Sequence, residues 1–92
     1  MEQEVAIEIR RPFLQLRRAR ERTAASEEAA ASAQEDLRLA EERYRLRTAT
    51  VLKVVDAQVA LTEARNAQAE AIHELQLAKL SMEKATGTLS AR

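Results

Sequence analysis

Two seven-residue repeats that do not share one register constrain the fold more than any other feature of this sequence. Between residues 5 and 44, apolar or small residues recur at two positions of a heptad. Between residues 54 and 85 a second repeat does the same, and one of its positions holds only alanine: Ala57, Ala64, Ala71, Ala78 and Ala85. A period of 3.5 residues is typical of long helices that pack along a narrow seam. The repeats therefore predict two long helices.

The register changes between Tyr44 and Val54, which hold equivalent heptad positions but lie one heptad plus three residues apart. A continuous helix would have to absorb this three-residue shift, whereas a chain reversal removes it. The β-branched Thr48 and Thr50 make this segment a poor helix interior, and either one can cap the second helix. We predict helix 1 over about residues 2–46, a turn at 47–50, helix 2 over about 51–86 and a tail at 87–92, as one domain.

A reversal at this point pairs the two repeats consistently. Tyr44 comes level with Val54, and Ala40 comes level with Ala57, so that layers of large residues alternate with alanine layers. The sequence thus predicts an all-α fold, a long antiparallel α-helical hairpin of the coiled-coil type. The helix-packing seam is expected to contain Leu16, Ala33, Leu37, Ala40, Tyr44, Val54, Ala57, Leu61, Ala64, Ala71, Leu75, Ala78 and Met82.

Three local features qualify this hairpin. Pro12 falls inside helix 1 and lacks a backbone donor, so we expect a kink or a late helix start there. Gly87 is suited to the left-handed position that ends many helices, and we expect helix 2 to end at it. Apolar residues outside the seam, such as Leu46, Val55 and Leu80, leave open a further partner surface or self-association into a helical bundle.

Composition excludes several classes of function. Fifteen Lys and Arg balance fifteen Asp and Glu, which argues against a general polyanion binder. No apolar run approaches the ~20 residues needed to cross a bilayer. Six arginines near the start lie off the seam without an aromatic platform, so we expect a solvated helix flank and no nucleic-acid partner: Arg10, Arg11, Arg17, Arg18, Arg20 and Arg22.

No pattern in the chain indicates an active site. There is no cysteine, no Ser-His-Asp set and no glycine-rich phosphate loop. His73 stands near Glu70 and Glu74, but one histidine with two helical carboxylates is a poor metal site by ligand count. We therefore expect no enzyme activity, no metal and no cofactor.

The segment from Ala40 to Leu89 resembles the TolC family of outer-membrane efflux channels. The ordered series Arg43-Tyr44, Thr48-Ala49-Thr50, Val51-Leu52 and Asp56-Ala57-Gln58 carries the resemblance, together with Leu61-x-x-Ala64 and the ending Ala85-Thr86-Gly87-Thr88-Leu89. Proteins of that family are trimeric channels whose helical hairpins wall a periplasmic tunnel below a β-barrel. The resemblance implies that this chain is one periplasmic hairpin, similar to the second repeat, without direct membrane contact of its own.

The same resemblance implies a partner and site residues. Arg47, Thr48, Ala49 and Thr50 would form the turn that docks the hairpin of a periplasmic adaptor (membrane fusion) protein, and Lys53 and Asp56 would face the pore. Arg47 stands where the family has glycine, and Lys53 stands where it commonly has an acid. Arginine tolerates a positive φ poorly, so we expect a reshaped turn or weakened docking.

Two alternatives remain open from the residues. A stand-alone structural coiled-coil scaffold explains the heptads equally well, although it leaves the ordered series from Ala40 to Leu89 unexplained. The helical hairpin of an adaptor protein from the same kind of pump is the other alternative. The Thr-Ala-Thr turn and the Gly-Thr-Leu ending fit the channel side better.

Overall fold

The chain folds into two helices that form an antiparallel hairpin, which confirms the predicted fold class. A computed structural model describes the backbone of residues 2–90 and the side chains of residues 10–87. Within that part, α1 spans Glu2–Arg45, α2 spans Val51–Ser90, and residues 46–50 connect them. Neither helix contains, over the residues described, a stretch long and apolar enough to span a bilayer. The seam positions before residue 10 lie outside the described side chains.

Two compact units make up the hairpin. The terminal unit contains Met1–Thr23 and Glu70–Arg92, and the turn unit contains Ala24–Ala69. Each unit therefore includes a segment of α1 and a segment of α2 that pack on each other along the heptad positions.

Small residues bring the helices of the terminal unit close together. Among the side chains of this unit that the structure describes, Ala19, Ala71 and Ala78 are buried, and Ala71 is only 2% exposed. The hydroxyl oxygen of Thr23 lies 2.8 Å from the Ala19 carbonyl and 3.3 Å from the Ala71 carbonyl on the facing helix. A threonine side chain reaches the opposite backbone only where the axes approach closely, as alanine at the contact permits.

The turn unit has a less completely buried seam. Leu61 is its one buried hydrophobic residue among those described, and Leu37, Ala40, Val54 and Ala57 are half-buried. A polar contact links the helices at the edge of this seam, where Arg65 Nη2 donates to Gln34 Oε1 at 2.6 Å. The alternation of leucine or valine with alanine sets this packing.

The expectation that helix 2 ends at Gly87 is wrong. Helix α2 continues through Gly87 to Ser90, and no glycine in the described residues has a positive φ. Glycine inside a helix costs only about 1 kcal/mol relative to alanine, and the hydroxyl of Thr86 donates to the Met82 carbonyl without interrupting the turn. Of the two alternatives expected at Pro12, a kink or a late start, the late start is excluded, because α1 begins at Glu2, as the predicted bounds have it, and contains Pro12.

Candidate functional site

The connection between the helices is built on a left-handed residue. Arg47 has a φ of 63°, the one positive φ at a non-glycine residue in the described part of the chain. The Arg47 N–H donates to the Tyr44 carbonyl at 3.0 Å, and the Thr48 N–H donates to the Arg43 carbonyl at 2.8 Å. This pair of bonds is the Schellman motif, in which glycine usually takes the left-handed position. Arg47 thus adopts the backbone conformation that glycine would adopt and adds a side chain.

The two threonines of the connection have different roles. The Thr48 hydroxyl donates to the Arg43 carbonyl at 3.1 Å and so completes the end of α1. Thr50 directly precedes α2, and its carbonyl accepts the Lys53 N–H at 3.1 Å, which places Thr50 at the N-cap position. Arg47, Thr48 and Thr50 are exposed, and Ala49 is half-buried. The four residues predicted as the docking turn therefore lie together, with three of them open to solvent.

A groove of about 630 Å³ opens beside the connection, within the turn unit. Ala40 and Ala57, which form an alanine layer of the seam, line it together with the larger Leu39. Alanine fills little of the space between two helices, so the side of this layer stays open. The other residues lining the groove are Asp36, Arg43, Thr48, Ala49, Thr50 and Lys53.

Two cations flank this groove without an acidic partner. Neither Arg43 nor Lys53 forms an ion pair with any described residue. Lys53 also lies in the first turn of α2, which contains no acidic residue and where the helix dipole disfavours a positive charge. Asp36 lies seven residues before Arg43 on α1 and lines the same groove. The groove therefore has a strongly basic end and an acidic end.

The two residues predicted to face a pore, Lys53 and Asp56, have different surroundings. Lys53 lines the groove, whereas Asp56 is exposed and does not line it. Both side chains are accessible to solvent on the first two turns of α2. Nothing in the described residues supplies an acidic cluster beside them.

The predicted seam residues are, with one exception, buried or half-buried. Tyr44 is the exception, because half of its surface is exposed. Tyr44 belongs to the last turn of α1, and its carbonyl already accepts a bond from the connection. The facing helix begins only at Val51, so few residues of α2 are available to cover the tyrosine ring.

Large exposed apolar residues precede and follow the connection in the sequence. Leu46 is 65% exposed and Leu52 is 64% exposed, and Val51 is exposed to a similar degree. These residues precede and follow the turn directly. Contiguous exposed apolar groups are typical of surfaces that bind a partner.

An arginine with two carboxylates occupies the outer face of α1. Arg38 donates to Glu35 through Nε and Nη2, at 3.0 and 2.7 Å, and through Nη1 to Glu42 at 3.3 Å. The side-chain hydrogen bond from Arg38 lowers the pKa of Glu35 below its ordinary value. The same bond raises the pKa of Arg38. All three groups face solvent, so this network supports the helix locally.

The described residues contain no group of three or more His, Cys, Asp or Glu side chains placed to hold a metal. His73 is exposed, and the neighbouring Glu74 pairs instead with Arg22 of the facing helix.

Comparison with known proteins adds no assignment. The chain matches no protein-family model, no curated protein and no solved structure. The function therefore has to be inferred from the turn, the groove and the exposed apolar residues.

Sequence reasoning missed the groove. Asp36, Leu39, Ala40 and Arg43 have the spacing i, i+3, i+4, i+7, which places them on one face of a helix. The sequence predicts that these residues share a helix face. That the face borders a groove becomes clear only once Ala40 and Ala57 are seen to lie in one layer.

Proposed function

We propose that this chain is a periplasmic hairpin of a TolC-like outer-membrane efflux channel and that its turn docks a periplasmic adaptor protein. Its role is mechanical rather than catalytic. In the trimeric channel, hairpins of this kind pack side by side as the wall of a tunnel. Residues 47–50 are the part that meets the adaptor hairpin.

The observation that carries this proposal is the exposed apolar set at the turn. Leu46, Val51 and Leu52 lie on either side of a well-defined chain reversal, and more than half of each side chain is open to solvent. An isolated hairpin gains nothing from exposing them, whereas a second hairpin would bury them. The ordered series from Arg43 to Leu89 resembles the TolC family, and this resemblance is the reason for proposing a hairpin of that kind.

Further apolar residues on α2 support a place within a wall of helices. Val55 and Val59 continue the exposed set along the turn unit, and Leu77 and Leu80 are exposed in the terminal unit. Helices that pack on neighbours on more than one side require apolar residues outside a single seam. We propose that these residues contact adjacent hairpins of the same channel.

A titration against the isolated hairpin domain of a periplasmic adaptor tests the docking turn. Leu52→Ser should weaken binding at least fivefold, because truncation of a buried apolar anchor commonly costs about 1 kcal/mol or more. Leu80→Ser is the matched control, since Leu80 is 59% exposed but lies far along α2 from the turn. Calorimetry measures both, and circular dichroism verifies that each variant stays helical.

Two results would count against the docking turn. One is the absence of binding by the unmodified chain, and the other is an equal loss with Leu52→Ser and Leu80→Ser. Arg47→Gly adds a second measurement, because removal of the side chain should raise affinity if Arg47 obstructs the adaptor. An unchanged affinity would mean that Arg47 does not obstruct it.

A structural scaffold is the second candidate function, and the seam favours it. Both heptad positions of α2 are buried or half-buried throughout residues 54–85, as they would be in any coiled coil. A scaffold role predicts that the chain binds copies of itself and no adaptor. The titration above separates the two proposals.

A further inference from the structure

The groove beside the connection has an acidic end, an apolar middle and a basic end, and this arrangement is self-complementary. Along α1 it presents Asp36, then Leu39 and Ala40, then Arg43, and all four line the groove. Seven residues of helix separate the acid from the base by about 10 Å. Lys53 of α2 adds a second cation at the basic end.

Reversing the direction of α1 exchanges the two charged ends and leaves the apolar middle in place. A second α1 laid antiparallel along the groove would therefore bring its Asp36 to the basic end and its Arg43 to the acidic end. These two contacts are symmetry copies of one Asp36–Arg43 contact, as a two-fold symmetric interface requires. Leu39 would meet its counterpart near the two-fold axis, and Ala40 would allow the helices a close approach.

The electrostatics of the free groove favour such an occupant. Arg43 and Lys53 lie on facing helices without an acidic partner among the described residues, so their positive charges repel each other. A carboxylate between them converts this repulsion into attraction. A polyanion such as nucleic acid fits poorly, because Asp36 lines the same groove and the chain has no net positive charge.

We propose that a second copy of this chain docks in the groove with its α1 antiparallel to the first, so that Asp36 of each copy lies between Arg43 and Lys53 of the other. This inference does not rest on the proposed function, since it requires only the isolated chain. Thr48 and Thr50 line the same groove, so the second copy covers part of the docking turn. A partner that binds this turn would compete with the second copy.

Charge reversal tests this interface by sedimentation equilibrium. Asp36→Arg places a third positive charge at each contact, beside Arg43 and Lys53, and Arg43→Glu places a second carboxylate beside each Asp36. Each single variant should dimerise at least tenfold more weakly than the unmodified chain, because two ion pairs are replaced by repulsion. An equimolar mixture of the two variants should regain part of the dimer. One contact between unlike copies keeps Asp36 with Arg43 and Lys53, and the other pairs the introduced arginine with the introduced glutamate.

Matched controls change the same charges elsewhere on α1. Glu28→Arg and Arg20→Glu alter exposed residues that do not line the groove, and they should leave dimerisation unchanged. Recovery in the mixture also shows that both single variants are folded. A monomeric unmodified chain would overturn the proposal, and so would a dimer that is insensitive to Asp36→Arg or a mixture that fails to associate.

Discussion

Equivalent heptad positions hold an unlike charge pair in the terminal unit and two like charges in the turn unit. Arg22 pairs with Glu74 across the helices of the terminal unit. Arg43 follows Arg22 by three heptads and Lys53 precedes Glu74 by three heptads, so the equivalent position of the turn unit has two cations. The charge pair of the terminal unit lines a groove of about 300 Å³, and the two cations of the turn unit line one of about 630 Å³. Of these two grooves, the one in the turn unit is therefore larger, and its two cations have no acidic partner among the described residues.

The largest expected difference between the units is in the stability lost when a seam alanine is replaced by leucine. Ala71→Leu in the terminal unit should destabilise the chain by about 1–3 kcal/mol, because a 2%-exposed alanine leaves no room for extra methylenes. Ala57→Leu should cost less than about 1 kcal/mol, because Ala57 lines the open groove. Urea denaturation measures both. Equal losses would remove the distinction between a closed and an open seam.

Arg47 is the position at which a substitution should stabilise the turn. Arg47→Gly should raise the free energy of unfolding by about 1 kcal/mol, because a left-handed backbone costs a non-glycine residue about 1–2 kcal/mol. Arg45→Gly, two residues earlier and inside α1, is the control and should lower stability by up to about 1 kcal/mol. Thermal denaturation measures both variants. A lower melting temperature for Arg47→Gly would show that the side chain of Arg47 contributes a contact that offsets its strain.

Lys53→Glu should make the turn unit resemble the terminal unit. The new carboxylate would face Arg43 as Glu74 faces Arg22, and it would lie in the first turn of α2 where a negative charge is favourable. We expect a gain of about 0.5–1 kcal/mol that decreases with added salt. Urea denaturation at low and high salt measures it. Glu74→Lys is the reciprocal change and should destabilise, and a gain that does not depend on salt would contradict the electrostatic account.

The Glu35–Arg38 pair should give the smallest effect. Because the hydrogen bond from Arg38 lowers the pKa of Glu35 in the folded chain, the folded state favours the charged carboxylate. Its stabilisation is present above the ordinary pKa of glutamate and is lost as the pH falls through the lowered value. Glu35→Gln should therefore reduce stability slightly at neutral pH and leave it unchanged in strong acid. A difference that persists in acid would point to a cause other than charge.

The hairpin could be predicted from the sequence because the residues that indicate it recur with a regular period. The heptads define which faces pack, and the shift between Tyr44 and Val54 requires a reversal. Single residues were harder to predict. Gly87 has the residue type of a helix end but stays helical, and Arg47 takes a conformation for which arginine is a poor choice. In both cases the hydrogen bonds of the surrounding turns determine the backbone conformation. These bonds cannot be predicted from the conformational preference of a single residue.

The groove illustrates a second limit of sequence reasoning. Asp36 and Arg43 are ordinary charged residues on a helix flank, and Lys53 becomes a neighbour of Arg43 only after the chain has reversed. Composition gives no sign of this cluster, because the total charge of the chain is zero. Local charge therefore has to be assessed in each unit separately.

The hydrogen bonds that reverse the chain join residues close together in sequence, since all of them fall between Glu42 and Lys53. Closing so short a loop costs little entropy, and none of these bonds needs a distant residue to be in place. We expect the reversal to nucleate folding, after which the two helices zip together outward from it, one heptad layer after another. Contacts between distant residues, such as Thr23 with Ala71 48 positions later, would then form last.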